Sequence, residues 1–277
     1  MTVRRALASA LILVLIWYLS PMVFRRFTDS VLFYPEQGQW RTPAALGLSF
    51  EEVWLDASGD RVQAWWVAGE ATGAVIVMFH GNAGTIADRL ENVAALVSRL
   101  GVSVFQVEYP GYGDSGGRPS EESLYAAGEA GLREARRRAG DRKLVVFGRS
   151  LGGAVAIDVA TRHSVDGLVA ESTFTSLRDM AASSGIPLAR YLVAYRFDCL
   201  AKIGQVGAPL LLLHGNRDEV VPYPMAVRLF EAATRASRKS LHTVEGGAHN
   251  DTWVVGGEAY WKAWSEFLRS IVDTREP

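Results

Sequence analysis

Short apolar runs rich in β-branched residues alternate with helix-like segments over most of this 277-residue chain. Runs of this kind, separated by helices, favour a mostly parallel sheet that is covered by helices on both faces. We therefore predict an α/β fold with a sheet of about eight strands. The strand candidates are residues 74–80, 103–109, 143–148, 167–171, 209–214 and 240–245, and the helix candidates are residues 85–99, 120–138, 151–163, 223–236 and 258–272.

Two further segments depart from this alternation. Residues 49–69 alternate in polarity around a Ser-Gly-Asp turn signal at residues 58–60, so we expect a hairpin of antiparallel strands at one edge of the sheet. Residues 173–205 have a helical pattern between two strand candidates and would lie beyond the carboxyl ends of the strands, where open α/β sheets bind ligands. We expect one domain over residues 29–277, with this insert as a small cap.

The N-terminus has the composition of a membrane anchor. Residues 6–24 form an uncharged, mostly apolar run between arginine pairs at residues 4–5 and 25–26. About 20 such residues suffice for a helix to cross a bilayer, so we predict an uncleaved single-pass anchor over residues 1–28. The alternatives are a cleaved signal peptide, although the small-residue triplet at residues 8–10 lies inside the run, and a buried helix of a soluble protein. The flanking charges nearly balance, so the side of the membrane that holds the domain stays open.

Charge and cysteine content exclude several classes of function. The formal net charge is −1, without a long block of one sign, so the chain lacks the basic face that nucleic-acid binding requires. Cys199 is the one cysteine in the sequence, so an internal disulfide cannot form, and its neighbours do not suggest a metal site. We expect no metal, no organic cofactor and no nucleic-acid partner.

A serine between two glycines stands where a strand candidate gives way to a helix candidate. Residues 148–152 read Gly-Arg-Ser-Leu-Gly, which fits the pattern G-x-S-x-G. In that pattern a sharp strand-to-helix turn exposes the serine hydroxyl, and the glycines relieve crowding on both sides. The helix that follows directs backbone N–H groups toward the same place. Ser150 is therefore the candidate nucleophile, and a tight turn with an incidental serine is the competing interpretation.

A serine nucleophile needs a base and a carboxylate that orients the base. Asp218 follows one strand candidate, and His249 lies in a glycine-rich loop after another, so both could meet Ser150 at one sheet edge. Rival acids are Glu171, the main alternative to Asp218, and two others in the same loops, Glu219 and Asp251. The remaining histidines fit turns, packing or helix ends better: His80, His163, His214 and His242.

Further residues are expected to contact the substrate of such a serine. Two backbone amides should stabilise negative charge on its carbonyl oxygen, that of Leu151 after the serine and that of Asn82 in a loop of small residues. Tyr112, in a glycine-rich loop, and Tyr191 and Tyr195, in the insert, are candidates for lining the substrate pocket. Ordinary packing inside the fold explains these three tyrosines equally well.

Seven segments between Leu32 and Asp251 carry a family resemblance: LFYPE, HGNAGTIADRL, EYPGYGDSGG, GRSLGGAVA, ESTFTSLRDMA, HGNRDEVVP and GGAHND. Together they resemble the membrane-anchored BEM46/ABHD13-type serine hydrolases of the α/β-hydrolase superfamily. The resemblance implies the α/β-hydrolase fold and the same site residues that spacing indicated, namely Ser150, Asp218, His249, Asn82 and Leu151. Cys199 stands where a polar residue such as asparagine is expected, and we interpret it as a buried small residue.

The sequence thus predicts a membrane-anchored serine hydrolase that cleaves an ester or thioester of a small acyl substrate through an acyl-enzyme. The cap and the anchor weakly favour a lipid-like acyl group. Amide or peptide cleavage by the same three residues is the first alternative. A catalytically silent hydrolase fold that serves as a membrane-tethered scaffold is the second.

Overall fold

A sheet of eight strands lies at the centre of the computed structural model, which describes residues 23–70 and 73–272. The strands of the chain are β1 (Tyr34–Pro35), β2 (Phe50–Ala57), β3 (Asp60–Val67), β4 (Val75–Phe79), β5 (Ala83–Gly84), β6 (Ser103–Val107), β7 (Leu144–Arg149), β8 (Gly167–Glu171), β9 (Leu210–Gly215) and β10 (Lys239–Val244). The order in the sheet is β10-β9-β8-β7-β4-β6-β3-β2, and β1 pairs separately with β5. The pairs β2–β3 and β3–β6 are antiparallel and the other pairs of the sheet are parallel, which confirms the predicted architecture.

Helices cover both faces of this sheet. The helices of the described residues are α1 (residues 23–32), α2 (Leu90–Leu100), α3 (Glu121–Ala139), α4 (Leu151–Arg162), α5 (Leu177–Ser183), α6 (Cys199–Ile203), α7 (Pro224–Ala232), α8 (Thr252–Val255) and α9 (Gly257–Val272), with 3₁₀ turns at Pro43–Leu46, Ile86–Arg89 and Ala189–Tyr191. Apolar residues of α3, α4, α6 and α7 pack in one core cluster. Those of α2 and α9 pack in a second cluster, on the opposite face.

The pleat of β4 explains why its sequence is an unbroken apolar run. Val75, Val77 and Phe79 belong to one core cluster, whereas Ile76 and Met78 belong to the other. Successive side chains of a strand point to opposite faces, so a strand covered on both sides must be apolar at every position. The continuous runs of the sequence therefore correspond to central strands.

The predicted hairpin forms the antiparallel edge. Ala57 of β2 pairs with Asp60 of β3, which leaves a two-residue turn. Its residues Ser58 and Gly59 have φ angles of 58° and 94°. Positive φ at both turn positions matches the right-handed twist of the strands that the turn joins.

The predicted insert lies between β8 and β9 and consists of α5, the last 3₁₀ turn and α6. Its later part contacts α1. Thr28 Oγ1 accepts a hydrogen bond from the N–H of Ala194 at 3.0 Å, and Tyr195 Oη donates to Asp29 Oδ1 at 2.6 Å. Arg25 Nε donates to the same Tyr195 hydroxyl at 3.1 Å. The end of the N-terminal region is thereby attached to the insert.

The predicted anchor over residues 1–28 lies largely outside the described residues. From residue 23 to 70 and from 73 to 272, no helix combines the length and the apolar character needed to cross a bilayer. The membrane anchor therefore stays a prediction from the sequence.

Two glycines allow β7 and α4 to approach each other closely. A Cβ atom on Gly148 would lie closer than 3.0 Å to backbone atoms of Gly152. A Cβ atom on Gly152 would in turn overlap the carbonyl oxygens of Phe79 and His80, at the end of β4. Because these obstacles are backbone atoms, they cannot move aside without shifting a central strand.

We expect Gly152→Ala to lower the free energy of unfolding by about 2–3 kcal/mol, because the added methyl group forces the central strands apart. Gly207→Ala is the matched control, since a Cβ atom there meets nothing within 4 Å. That control should change stability by no more than about 0.5 kcal/mol. Denaturant unfolding of the purified variants measures both values, and equal midpoints would contradict this account of the turn.

Candidate active site

Ser150 occupies the sharp turn between β7 and α4. Its φ and ψ angles are 54° and −118°, in a region that non-glycine residues rarely adopt. Such a conformation costs of order 1–3 kcal/mol and persists only where the surrounding structure enforces it. Here the N–H of Ser150 donates to the carbonyl of Glu171 at 2.9 Å, and the glycine contacts described above hold both ends of the turn.

The structure brings Ser150, His249 and Asp218 together in one series of contacts. His249 Nε2 lies 3.2 Å from Ser150 Oγ, and His249 Nδ1 lies 2.8 Å from Asp218 Oδ2. A carboxylate only accepts hydrogen bonds, so Nδ1 carries the proton and Nε2 is left to accept from the serine hydroxyl. The loops after β7, β9 and β10 supply the three residues.

Both carboxylate oxygens of Asp218 contact hydrogen-bond donors. Oδ1 accepts hydrogen bonds from the N–H groups of Val220 and Val221, at 2.9 and 2.7 Å. Oδ2 faces His249 and also lies 3.3 Å from Nε2 of His214. Burial disfavours the charged form, but the hydrogen bonds from His214 and His249 outweigh it and hold the pKa of the Asp218 carboxyl below its usual value. Asp218 is therefore ionised at neutral pH.

The rival carboxylates have other partners. Glu171 is buried and accepts hydrogen bonds from Thr252 Oγ1 and, at 2.9 Å, from the hydroxyl of Tyr260. Glu219 accepts the backbone N–H of His249, at 3.2 Å, and Asp251 accepts the N–H of Ala248 at 2.7 Å. Their contacts leave Asp218 as the acid on the His249 ring.

The loop that contains Asn82 lies beside the serine. A Cβ atom on the neighbouring Gly81 would stand 3.6 Å from Cβ of Ser150. Asn82 Nδ2 donates to the carbonyl of Leu32 at 2.8 Å, and its own carbonyl accepts from the N–H of Tyr34 at 3.0 Å. The backbone N–H of Asn82 takes no part in these contacts. Leu151 is the first residue of α4, so its N–H has no acceptor within the helix.

Asn82 and Ser150 line the same cavity of about 190 Å³. His249 and two arginines, Arg89 and Arg149, lie on its walls as well. The cavity therefore joins the serine, the histidine and the loop of the expected oxyanion donor.

The three tyrosines expected in a substrate pocket are not among the residues that line the cavity of Ser150. Tyr112 is fully buried, and its hydroxyl donates to the carbonyl of Asn82 at 2.7 Å, so it supports the loop. Tyr191 is 74% exposed and lines a cavity between the insert and α7. Tyr195 is buried against α1 through the hydrogen bond to Asp29. The competing interpretation, ordinary packing, holds for Tyr112 and Tyr195.

The role of one buried carboxylate, that of Glu108 beneath the loop of Asn82, was not predicted from the sequence. Glu108 has no exposed side-chain surface, and its Oε1 accepts from His80 Nε2 at 2.7 Å and from the N–H of Tyr109 at 3.0 Å. Its Oε2 accepts from the N–H of Ile86 at 2.9 Å and from Gln39 Nε2 at 3.1 Å. Glu108 lies near the end of the strand candidate at residues 103–109 and directly follows β6 in the structure, and this place at a strand end was the available signal.

Cys199 is buried, as expected, and its Sγ lies 3.6 Å from the carbonyl of Phe197. Burial raises the pKa of the thiol well above its usual value, so it stays protonated and is a poor nucleophile. In the part of the chain that the structure describes, no cluster of histidine, cysteine and acidic residues has the arrangement of a metal site.

Comparison with known protein families shows the family to which this chain belongs. The model of the Hydrolase_4 family, described as serine aminopeptidase S33, matches residues 70–198 and 186–252, which together cover more than half of the sequence. The chain belongs to this α/β-hydrolase family. Among similar curated proteins, the hydrolase is 36% identical over 250 residues to the α/β hydrolase domain-containing protein WAV2 of Arabidopsis thaliana, covering 82% of this chain and 81% of that protein.

Protein bem46 of Schizosaccharomyces pombe is 34% identical over 203 residues, or 70% of the hydrolase and 66% of the relative, which confirms the resemblance to that group. The esterase Pf2001 of Pyrococcus furiosus superposes with a TM-score of 0.72 at 19% identity, over 86% of the hydrolase and 98% of that chain. Est1E of Butyrivibrio proteoclasticus, solved with ferulic acid, gives a TM-score of 0.63 at 18% identity, covering 80% and 100%. At these identities the solved structures confirm the fold.

We expect Glu108→Ala to lower the free energy of unfolding of the hydrolase by about 3–5 kcal/mol, because it removes the acceptor of four donors in the interior. Glu231, on the surface of α7, provides the matched control. Its change to alanine should alter stability by about 0.5 kcal/mol at most. Denaturant unfolding of both variants tests the expectation, and a loss for Glu108→Ala as small as that of the control would refute it.

Proposed function

We propose that the chain is a serine hydrolase that cleaves a carboxylic ester or a thioester through an acyl-enzyme intermediate. The observation that carries the proposal is the series of contacts from Ser150 Oγ through the His249 ring to Asp218. A hydroxyl, a base and an orienting carboxylate in this geometry are the parts that acyl transfer by serine requires. Membership of the α/β-hydrolase family supports it.

In the first half of the reaction, Ser150 Oγ attacks the carbonyl carbon of the substrate. His249 Nε2 takes the hydroxyl proton while the new carbon–oxygen bond forms, and Asp218 stabilises the imidazolium. The carbonyl oxygen becomes an oxyanion, for which the N–H groups of Asn82 and Leu151 are the proposed donors. His249 then gives its proton to the departing alcohol or thiol as the bond to that group breaks.

In the second half, a water molecule attacks the acyl group on Ser150. His249 takes a proton from the water as the new bond forms. The bond between the acyl carbon and Oγ then breaks, His249 returns the proton to Oγ, and a carboxylic acid leaves. The reaction consumes one water and needs no metal or organic cofactor.

Amide cleavage is the second candidate function. The matched family is described as serine aminopeptidase S33, and an acylaminoacyl peptidase of Pyrococcus horikoshii superposes with a TM-score of 0.62 at 16% identity. The same three residues would serve, because only the leaving group differs. A silent scaffold is disfavoured, since such a fold would not need the contacts between Ser150, His249 and Asp218.

We further propose that residues 1–28 anchor the enzyme in a membrane. The apolar run between two arginine pairs has the length of a membrane-crossing helix. A relative from Saccharomyces cerevisiae, 31% identical over 86% of this chain and 87% of that protein, is named as an uncharacterised membrane protein. A single-pass anchor would place the active site beside a bilayer, where acyl lipids are abundant.

Fluorophosphonate probes test the nucleophile, since they react with a serine hydroxyl only when a base activates it. We expect the purified full chain to be labelled, and Ser150→Ala and His249→Ala to lose labelling by several orders of magnitude, on the order of 10⁴-fold. Ser237→Ala, which changes an exposed serine, is the control and should label like the wild type.

Labelling that survives in folded Ser150→Ala would disprove this assignment of the nucleophile. With labelling established, a panel of p-nitrophenyl esters, acyl thioesters and aminoacyl anilides distinguishes ester from amide cleavage. Preference for the anilides would favour the peptidase alternative. A folded wild type without labelling or turnover would favour the scaffold.

The anchor is tested by removing residues 1–22, which leaves all described residues in place. We expect the full chain to sediment with membranes and to resist extraction by high salt, because burial of apolar residues holds it there. The shortened chain should move to the supernatant and keep its labelling by fluorophosphonate. Release of the full chain by salt alone would contradict a bilayer-crossing helix.

A further inference from the structure

Two arginine side chains share the cavity with the candidate nucleophile. Arg89, from the 3₁₀ turn before α2, and Arg149, at the end of β7, line the cavity of about 190 Å³ together with Ser150. The same two arginines line an adjoining cavity of about 350 Å³. Both arginines therefore contribute to the walls of the two spaces.

Arg149 has unused hydrogen-bonding capacity. One of its terminal nitrogens donates to the carbonyl of His249 and lies 3.4 Å from Asn250 Oδ1. Its Nε has no hydrogen-bond partner among the described residues, although only 13% of the side chain is exposed. A carboxylate oxygen of Glu171 lies 3.9 Å from Nε, but the oxygens of that carboxylate already accept from Thr252 and Tyr260.

Arg89 donates from one terminal nitrogen to the carbonyl of Ala83, at 2.7 Å. Within the described parts of the chain, no carboxylate lies within 4.0 Å of its guanidinium. The acidic side chains nearby are occupied: Asp88 accepts from the N–H of Thr85 at 2.7 Å, and Glu91 forms a two-pronged ion pair with Arg41. Glu108 is enclosed under the loop, as described above.

The two positive charges disfavour each other. Burial, followed by the charge of Arg149, lowers the pKa of Arg89, while Asp88 and Glu108 oppose this only in part. Like charges that face one cavity lower the stability of the protein unless something offsets their repulsion. An anion between the two guanidinium groups would supply that offset, since arginine binds carboxylate and phosphate oxygens in pairs.

From this arrangement we propose that the substrate carries an anionic group, a carboxylate or a phosphate, that Arg89 and Arg149 bind beside the reacting carbonyl. Arg89 is the specificity-determining residue, because Arg149 also holds the backbone of His249. The inference rests on the proposed function, since it names the substrate class of the same site. Binding energy from this group would position the carbonyl against Ser150 Oγ.

Two matched substrate pairs test the proposal and locate the anion. Mono-p-nitrophenyl adipate has a free carboxylate on its acyl half, and p-nitrophenyl methyl adipate has a methyl ester in its place. Lysophosphatidic acid and the monoacylglycerol of the same chain length differ in a phosphate on the alcohol half, as in a lipid headgroup. For at least one pair, we expect kcat/KM to favour the anionic member by about tenfold or more.

In Arg89→Gln this preference should fall to near unity, whereas Arg235→Gln, which changes an exposed arginine, should keep it. A merely structural role of Arg89 would lower kcat/KM equally for both members of a pair and leave the ratio unchanged. Arg89→Lys, which keeps the charge but loses the fork of donors, should give an intermediate ratio. A wild-type ratio near one in both pairs, or a ratio that Arg89→Gln leaves intact, would overturn the proposal.

Fluorophosphonate labelling separates this failure from failure of the proposed function, because the probe needs no anionic group. When the wild type is labelled, the kcat/KM ratios alone test the anion site. When it is not labelled, calorimetry tests the anion site directly. Binding of inorganic phosphate and of monomethyl adipate is then measured for Ser150→Ala and for the same protein that also carries Arg89→Gln. A loss of affinity of about tenfold supports the anion site, and equal or undetectable binding to both proteins refutes it.

Discussion

The close approach of β7 and α4 is the constraint on which the rest of the site depends. Side chains at Gly148 and Gly152 would collide with backbone atoms, so only glycines allow the turn to sit against β4. With the turn in that position, Ser150 takes a strained conformation and its hydroxyl faces the ring of His249. Backbone packing in the centre of the molecule therefore fixes the direction of the Ser150 hydroxyl. Atoms in such a densely packed interior cannot shift without loss of stability.

Three carboxylates position the loop, the turn and the histidine ring that surround this serine. Glu108 fixes the loop of Asn82 from below, through four donors. Glu171 lies behind the turn, and Asp218 orients the histidine. All three follow or end strands of the parallel sheet, so the carboxyl ends of the strands gather negative charge beneath the site. Arg89 and Arg149 place the opposite charge on the walls of the cavity that Ser150 lines.

The sequence predicted the strands well because central strands, buried on both faces, must be apolar throughout. It also brought Ser150, Asp218 and His249 to one edge, since each follows a strand, although their catalytic roles stay predictions. It did not reveal where tyrosines point, because that depends on contacts between distant segments. Tyr195 binds Asp29, 166 residues earlier, and no local pattern encodes such a pair. The two arginines escaped notice for the same reason, because neither forms a recognisable motif with the other.

Glu171 also connects the serine turn to the end of the chain. Its carbonyl accepts the N–H of Ser150, while its carboxylate accepts the hydroxyl groups of Thr252 and Tyr260, in α8 and α9. These donors follow Glu171 by 81 and 89 residues, so a nascent chain lacks them until both helices have been made. The serine turn can therefore gain its full support only after α8 and α9 have been synthesised. A protein truncated before residue 252 would keep its nucleophile but not the structure that holds it.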